Sequence, residues 1–114
     1  MAIPSGSGTE VLKNTTHLSQ SNTTVSALTC PANSIITVLN CIISHDINDV
    51  KSMEISMSPG GSGDVHLLRG FSLPNYGSFV WRDKLVLHPA DILKVYSDST
   101  NFDIYINYIL QDYT

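Results

Sequence analysis

The chain has 114 residues, a net charge of -4, and only 14% charged residues against 42% hydrophobic ones. That length holds one domain with a core of its own, and a charged share well under the usual quarter or so argues against a disordered chain. The six basic residues, Lys13, Lys51, Arg69, Arg82, Lys84 and Lys94, are scattered, so no patch is expected to hold a nucleic-acid backbone, and no stretch reaches the ~18 apolar residues of a helical membrane span.

The opening Met1-Ala2-Ile3-Pro4-Ser5-Gly6-Ser7-Gly8 lacks the basic start and apolar run of a signal peptide, so the chain is expected to stay in the cytosol where it is made. Residues 1–10 read as a flexible Gly/Ser arm and 11–114 as the single domain. The arm either frays or reaches a neighbouring subunit. In a cytosolic chain, Asn14-Thr15-Thr16 and Asn22-Thr23-Thr24 are polar strand residues rather than glycan acceptors. Thr9 to Leu18 forms a weak strand, Ser19 to Asn22 a turn, and Thr23 to Cys30 a second strand closed by Pro31-Ala32-Asn33. Ile35 to Ser44 is apolar on both alternating faces, with Ile36, Val38 and Ile42 on one and Ile35, Leu39, Cys41 and Ile43 on the other. That pattern suits a central strand covered on both sides; a buried helix has nearly the same period, but β-branched residues dominate. Cys30 and Cys41 are expected as free, buried thiols.

His45 to Asp49 is a turn, and Met53, Ile55 and Met57 alternate with polar residues in a half-buried strand. Pro59 to Asp64 reads as a hairpin loop, Val65 to Phe71 as a strand, and Leu73 to Gly77 as a turn. Ser78 to Leu87 is a strand pair or a bulged strand broken near Arg82-Asp83. Ile92 to Tyr96 follows, and last comes Phe102 to Leu110, with Phe102, Ile104, Ile106 and Tyr108 on one face and Asp103, Tyr105 and Asn107 on the other. About eight strands with regular turns and no sequential helices predict an all-β fold, an antiparallel β-sandwich of jelly-roll-like form.

No chemistry-bearing constellation stands out. His17, His45, His66 and His88 show no HxH or HxxxH spacing and no cysteine beside them, so no metal site is expected. Ser58-Pro59-Gly60-Gly61-Ser62-Gly63-Asp64 lacks the Lys-Ser/Thr ending and following helix of a phosphate loop. His45, Asp46, Asn48 and Asp49 lack the order of a calcium loop, and turn formation explains them. No Gly-x-Ser-x-Gly supports a triad. The reading is a non-enzyme without cofactor. Tyr76, Trp81 and Tyr105 remain as aromatic candidates for an interface or a stacked sugar.

Three segments resemble small virion structural proteins of tailed bacteriophages, notably aquatic ones: Ala2 to Lys13; Thr29-Cys30-Pro31-Ala32-Asn33 with Ile35-Ile36-Thr37-Val38-Leu39; and Leu73-Pro74, Phe79-Val80-Trp81, Asp83 to Leu87 and Asp91 to Val95. Cys30 stands where Val is usual, and Arg82 where Asn is. The resemblance implies a β-sandwich subunit in a virion assembled in the host cytoplasm. The implied role is capsid decoration or cement, or else a tail, neck or baseplate part recognising host glycan. It implies the major capsid protein or other virion proteins as partners, and a homo-oligomer, expected as a trimer. The contact residues expected are Ile3 and Pro4 on the arm, with Tyr76, Trp81, Tyr105, Asn107 and Ile109.

Overall fold

The computed structural model describes residues 8–113. Nine strands run in chain order: β1 (Thr9–Gln20), β2 (Thr23–Thr29), β3 (Ser34–His45), β4 (Lys51–Ser58), β5 (Val65–Leu73), β6 (Ser78–Trp81), β7 (Leu85–Leu87), β8 (Ile92–Ser97) and β9 (Phe102–Asp112), with one 3-10 turn at Pro59–Gly61. They form two antiparallel sheets: β1-β9-β3-β6 with β7 also on β3, and β2-β8-β4-β5. β6 and β7 lie along β3 as two halves of one strand, Trp81 opposite Cys41 and Leu85 opposite Val38. Counted so, there are eight strands, and the chain crosses between sheets at almost every connection, which is the double Greek-key order of a jelly roll. The expected β-sandwich is therefore present. The first seven residues of the expected arm lie outside the described residues, and β1 takes Thr9 and Glu10.

The core fills the space between the sheets. β9 supplies Phe102, Ile104 and Ile106, β4 Met53 and Ile55, and β8 Leu93 and Val95, all essentially inaccessible. β3 departs from the simple alternation. Its pairing with β9 slips between Val38 and Asn40, so Ile36 and Val38 and then Cys41 and Ile43 all point into the core. Ile42, expected beside Ile36 and Val38, faces outward, and β3 is buried on one face rather than two. β5 is bulged likewise: Arg69 and Gly70 oppose Glu54 alone, and Gly70 takes φ 68°, a conformation that suits glycine.

Buried polar groups hold the ends of the sandwich. His45 Nε2–H donates to the Pro74 carbonyl at 2.6 Å, and its Nδ1 meets Ser99 Oγ at 3.3 Å. This ring thus ties β3 to the exit of β5 and to the β8–β9 turn, and is not free to hold a cation. At the other end, buried Asp91 accepts from the backbone N–H of Gly60 at 2.8 Å and of His88 at 2.9 Å. The backbone of Asp91 and of the preceding Ala90 is joined to Cys30: Cys30 N–H donates to the Asp91 carbonyl and Ala90 N–H to the Cys30 carbonyl, both at 3.0 Å. One carboxylate therefore fixes the Pro59–Gly61 turn and the β7–β8 turn together. The Asp91→Ala variant is expected to lose about 2–3 kcal/mol, since two charge-assisted bonds from part-buried N–H groups are lost; urea unfolding measures it.

Cys30 and Cys41 are free and buried. Burial pushes the Cys41 thiol up from 9.0 to about 12. The folded state favours the neutral thiol, so this contribution is intact below the unfolded value and is lost as pH rises from 9.0 toward about 12. Wild-type stability should fall faster over that window than that of Cys41→Ala, by as much as ~1.4 kcal/mol per pH unit. Denaturant titrations of both proteins across the window give the two slopes.

Candidate interaction surface

The outer faces of the two sheets differ in chemistry. On the four-stranded sheet, register aligns Thr24, Tyr96 and Glu54 in one row and Ser26, Lys94, Ser56 and His66 in the next. Glu54 pairs with His66, and Lys94 Nζ meets Asp64 Oδ1 at 3.0 Å. Lys94 holds the Asp64 carboxyl below its ordinary range. Thr24, Glu54, Ser56, Asp64 and Tyr96 line an open depression of about 260 Å³. This face carries charge, and its carboxylates Glu54 and Asp64 are already paired with His66 and Lys94.

The outer face of the five-stranded sheet carries three aligned rows. Leu12, Ile109, Thr37 and Val86 lie across β1, β9, β3 and β7. Asn14, Asn107 and Asn40 form the middle row. Thr16, Tyr105, Ile42 and Val80 complete the set. None of these eleven is Asp, Glu, Lys, Arg or His. Asn107 Nδ2 donates to Asn40 Oδ1 at 2.9 Å. Leu12 is 71% exposed, Val86 45%, Tyr105 38% and Val80 37%. In the rows beyond, Glu10 accepts from Gln111 Nε2 at 3.1 Å and Asp103 from Ser19 N–H at 2.7 Å, and the exposed link Arg82-Asp83-Lys84 between β6 and β7 lies at the Asn40 end of the middle row. Two mainly apolar rows thus flank a row of amides, with no formal charge among the eleven residues.

Of the contact residues expected from the sequence, Tyr105, Asn107 and Ile109 stand together on this face, one in each row. Tyr76 is well exposed but sits in the β5–β6 turn, with φ 50° and its N–H on the Ile47 carbonyl. Trp81 points the other way. It lies opposite buried Cys41 and packs against the core, and its Nε1 is buried without a partner. Ile3 and Pro4 lie outside the described residues. Tyr76, Trp81 and Tyr105 thus form no shared stacking site.

Sequence reading missed Leu12, Asn40, Ile42, Val80 and Val86. For Val86, alternation within Leu85-Val86-Leu87 was the available signal; for Asn40 and Ile42 the β3 bulge hid it. The remaining histidines have separate structural partners. His17 Nε2–H donates to the Ala27 carbonyl at 2.9 Å, bridging the sheets, and His88 Nδ1 lies 3.9 Å from Asp91. Among the described residues, no group of three or more His, Cys, Asp or Glu is placed to hold a metal ion, and no helix is long and apolar enough to cross a membrane.

No family model matches this sequence, and no curated protein does. Solved structures do share its fold. A chain of the structure of infectious bursal disease virus, Gx strain, aligns with TM-score 0.56 and 6% identity over 96% of this chain and 34% of its own length. A chain of the acidic stable capsid structure of Helicobacter pylori bacteriophage KHP30 aligns with TM-score 0.51 and 8% identity, over 92% of this chain and 89% of that one. These are likenesses of fold. The present chain spans about a third of the first of these chains and nearly all of the second.

Trp81 is the sole tryptophan, which makes it a clean probe of its placement. Its emission should be blue-shifted in the native protein, resist polar quenchers, and move to the red only on unfolding. Ready quenching by iodide in the native state would contradict the inward orientation.

Proposed function

We propose that this chain is a structural subunit of a bacteriophage virion, seated on the capsid as a decoration or cement protein that adds contacts between shell subunits. The observation that carries this reading is the likeness to the KHP30 capsid chain, because the domain here corresponds to nearly the whole of that chain. Jelly rolls are common among viral capsid domains, although lectins share the architecture and fold alone assigns no function. The resemblance of Ala2–Lys13, Thr29–Leu39 and Leu73–Val95 to tailed-phage virion proteins points the same way. So does surface chemistry: one sheet face carries Glu54, His66, Asp64 and Lys94, whereas the central rows of the other are uncharged and suited to burial against a protein neighbour.

A tail-borne glycan reader draws no support from Tyr76, Trp81 and Tyr105, which lie on different sides of the molecule. The carboxylates beside Tyr96 are already engaged by His66 and Lys94. The partners under this reading are shell proteins and further copies of the chain.

Immunogold labelling of particles of the phage encoding the chain tests the assignment. Label spread over the whole shell is the expected result. Label confined to the tail would move the protein there, and unlabelled particles would remove the virion role.

A further inference from the structure

We propose that the outer face of the five-stranded sheet is a self-association surface, on which a second copy of this chain packs sheet against sheet about a two-fold axis. The proposal rests on the reading of the chain as an assembly subunit. Its first support is the middle row, Asn14, Asn107 and Asn40. A primary amide both donates and accepts, so a row of amides is its own complement. With the axis running along this row, amides meet amides, and the Ile109 row meets the Tyr105 row of the other copy. Apolar contacts then flank a hydrogen-bonded seam, and each buried amide finds a partner. Any partner must set donors and acceptors opposite this row; a second copy carries them there already. This is the isologous geometry of a two-fold pair.

Charge and area agree with this. The three rows carry no ionic charge of their own, Glu10 and Asp103 in the rows beyond are each bonded within the chain, and the charged link Arg82-Asp83-Lys84 lies at the rim, past the Asn40 end of the middle row. Packing the other sheet face instead would desolvate Glu54, His66, Asp64 and Lys94, a cost that burial of ion pairs repays poorly. β1, β9 and β3 have 12, 11 and 12 residues. At about 3.4 Å rise and 4.8 Å spacing, these strands with β6 and β7 present roughly 650 Å² per copy, hence about 1,300 Å² for the pair. Specific interfaces bury about 1,200–2,000 Å² in total, so a stable dimer uses the whole length of the face, the Glu10 and Asp103 rows included.

Sedimentation equilibrium of the full chain decides the matter. The wild type should sediment as a dimer. Ile109→Glu, a charge set beside the amide row, should weaken dimerisation at least tenfold, with circular dichroism showing the domain folded. Leu12→Glu, at an open edge where folding is insensitive, should weaken it in the same direction if Ile109→Glu fails to fold. Thr24→Glu on the opposite face should leave the dimer unchanged. A wild-type chain that stays monomeric or forms a trimer overturns the proposal, as does a dimer unmoved by both face substitutions. A monomer whose binding to phage particles is abolished by Ile109→Glu overturns the second copy as occupant while leaving the virion reading intact. Unlabelled particles with a confirmed dimer would do the reverse.

Discussion

The pairing of β3 with β9, and the one-residue slip within it, is the constraint on which the rest of the molecule depends. In a strand, side chains alternate, so a shift of one residue sends a whole set from core to surface. β3 makes that shift between Val38 and Asn40. Before it, Ile36 and Val38 point inward; after it, Cys41, Ile43 and His45 do. The slip thus serves two ends. It keeps the inner face apolar from Ile36 to Ile43 and brings Asn40 opposite Asn107 on the outer one. It also sets Ile42 between Tyr105 and Val80. Core and candidate surface are the two sides of one register.

That division gives the two faces of the sandwich different chemistry. The inner row of β9, Phe102, Ile104 and Ile106, is fully buried, and the outer row, Tyr105, Asn107 and Ile109, carries no charge. The opposite sheet covers the same core but turns Glu54, His66, Asp64 and Lys94 to water. The sandwich is therefore two-sided in chemistry, with one face built to stay hydrated and one that loses little on being covered. The ends are closed by His45 and Asp91, polar groups satisfied from distant segments. They fix the loops without adding exposed apolar surface.

Local periodicity made much of this legible in the sequence. β9 could be read face by face, because its alternation is uninterrupted. β4 was equally plain from Met53, Ile55 and Met57, and the break at Arg82-Asp83 was readable in the sudden polarity between two apolar runs. β3 was legible as a central strand but not in its facing, since its bulge is made without glycine or proline and leaves no compositional mark. Trp81 is a candidate contact by sequence because its segment is rich in aromatics; only the register opposite Cys41 turns it inward. The service of Asp91 to Gly60, across a separation of 31 positions, belongs to tertiary structure and has no local signal. The surface itself emerged only when β1, β9, β3, β6 and β7 were laid side by side. Its rows draw one residue from each strand, and no window of sequence contains a row.

A reconstruction of the assembled particle, at a resolution that traces strands, tests the central claim most directly. The account predicts that the face bearing Leu12, Asn107 and Tyr105 is buried against a neighbouring molecule, while Glu54 and Lys94 face solvent. A particle in which the charged face is buried and the asparagine row lies open to water would contradict it.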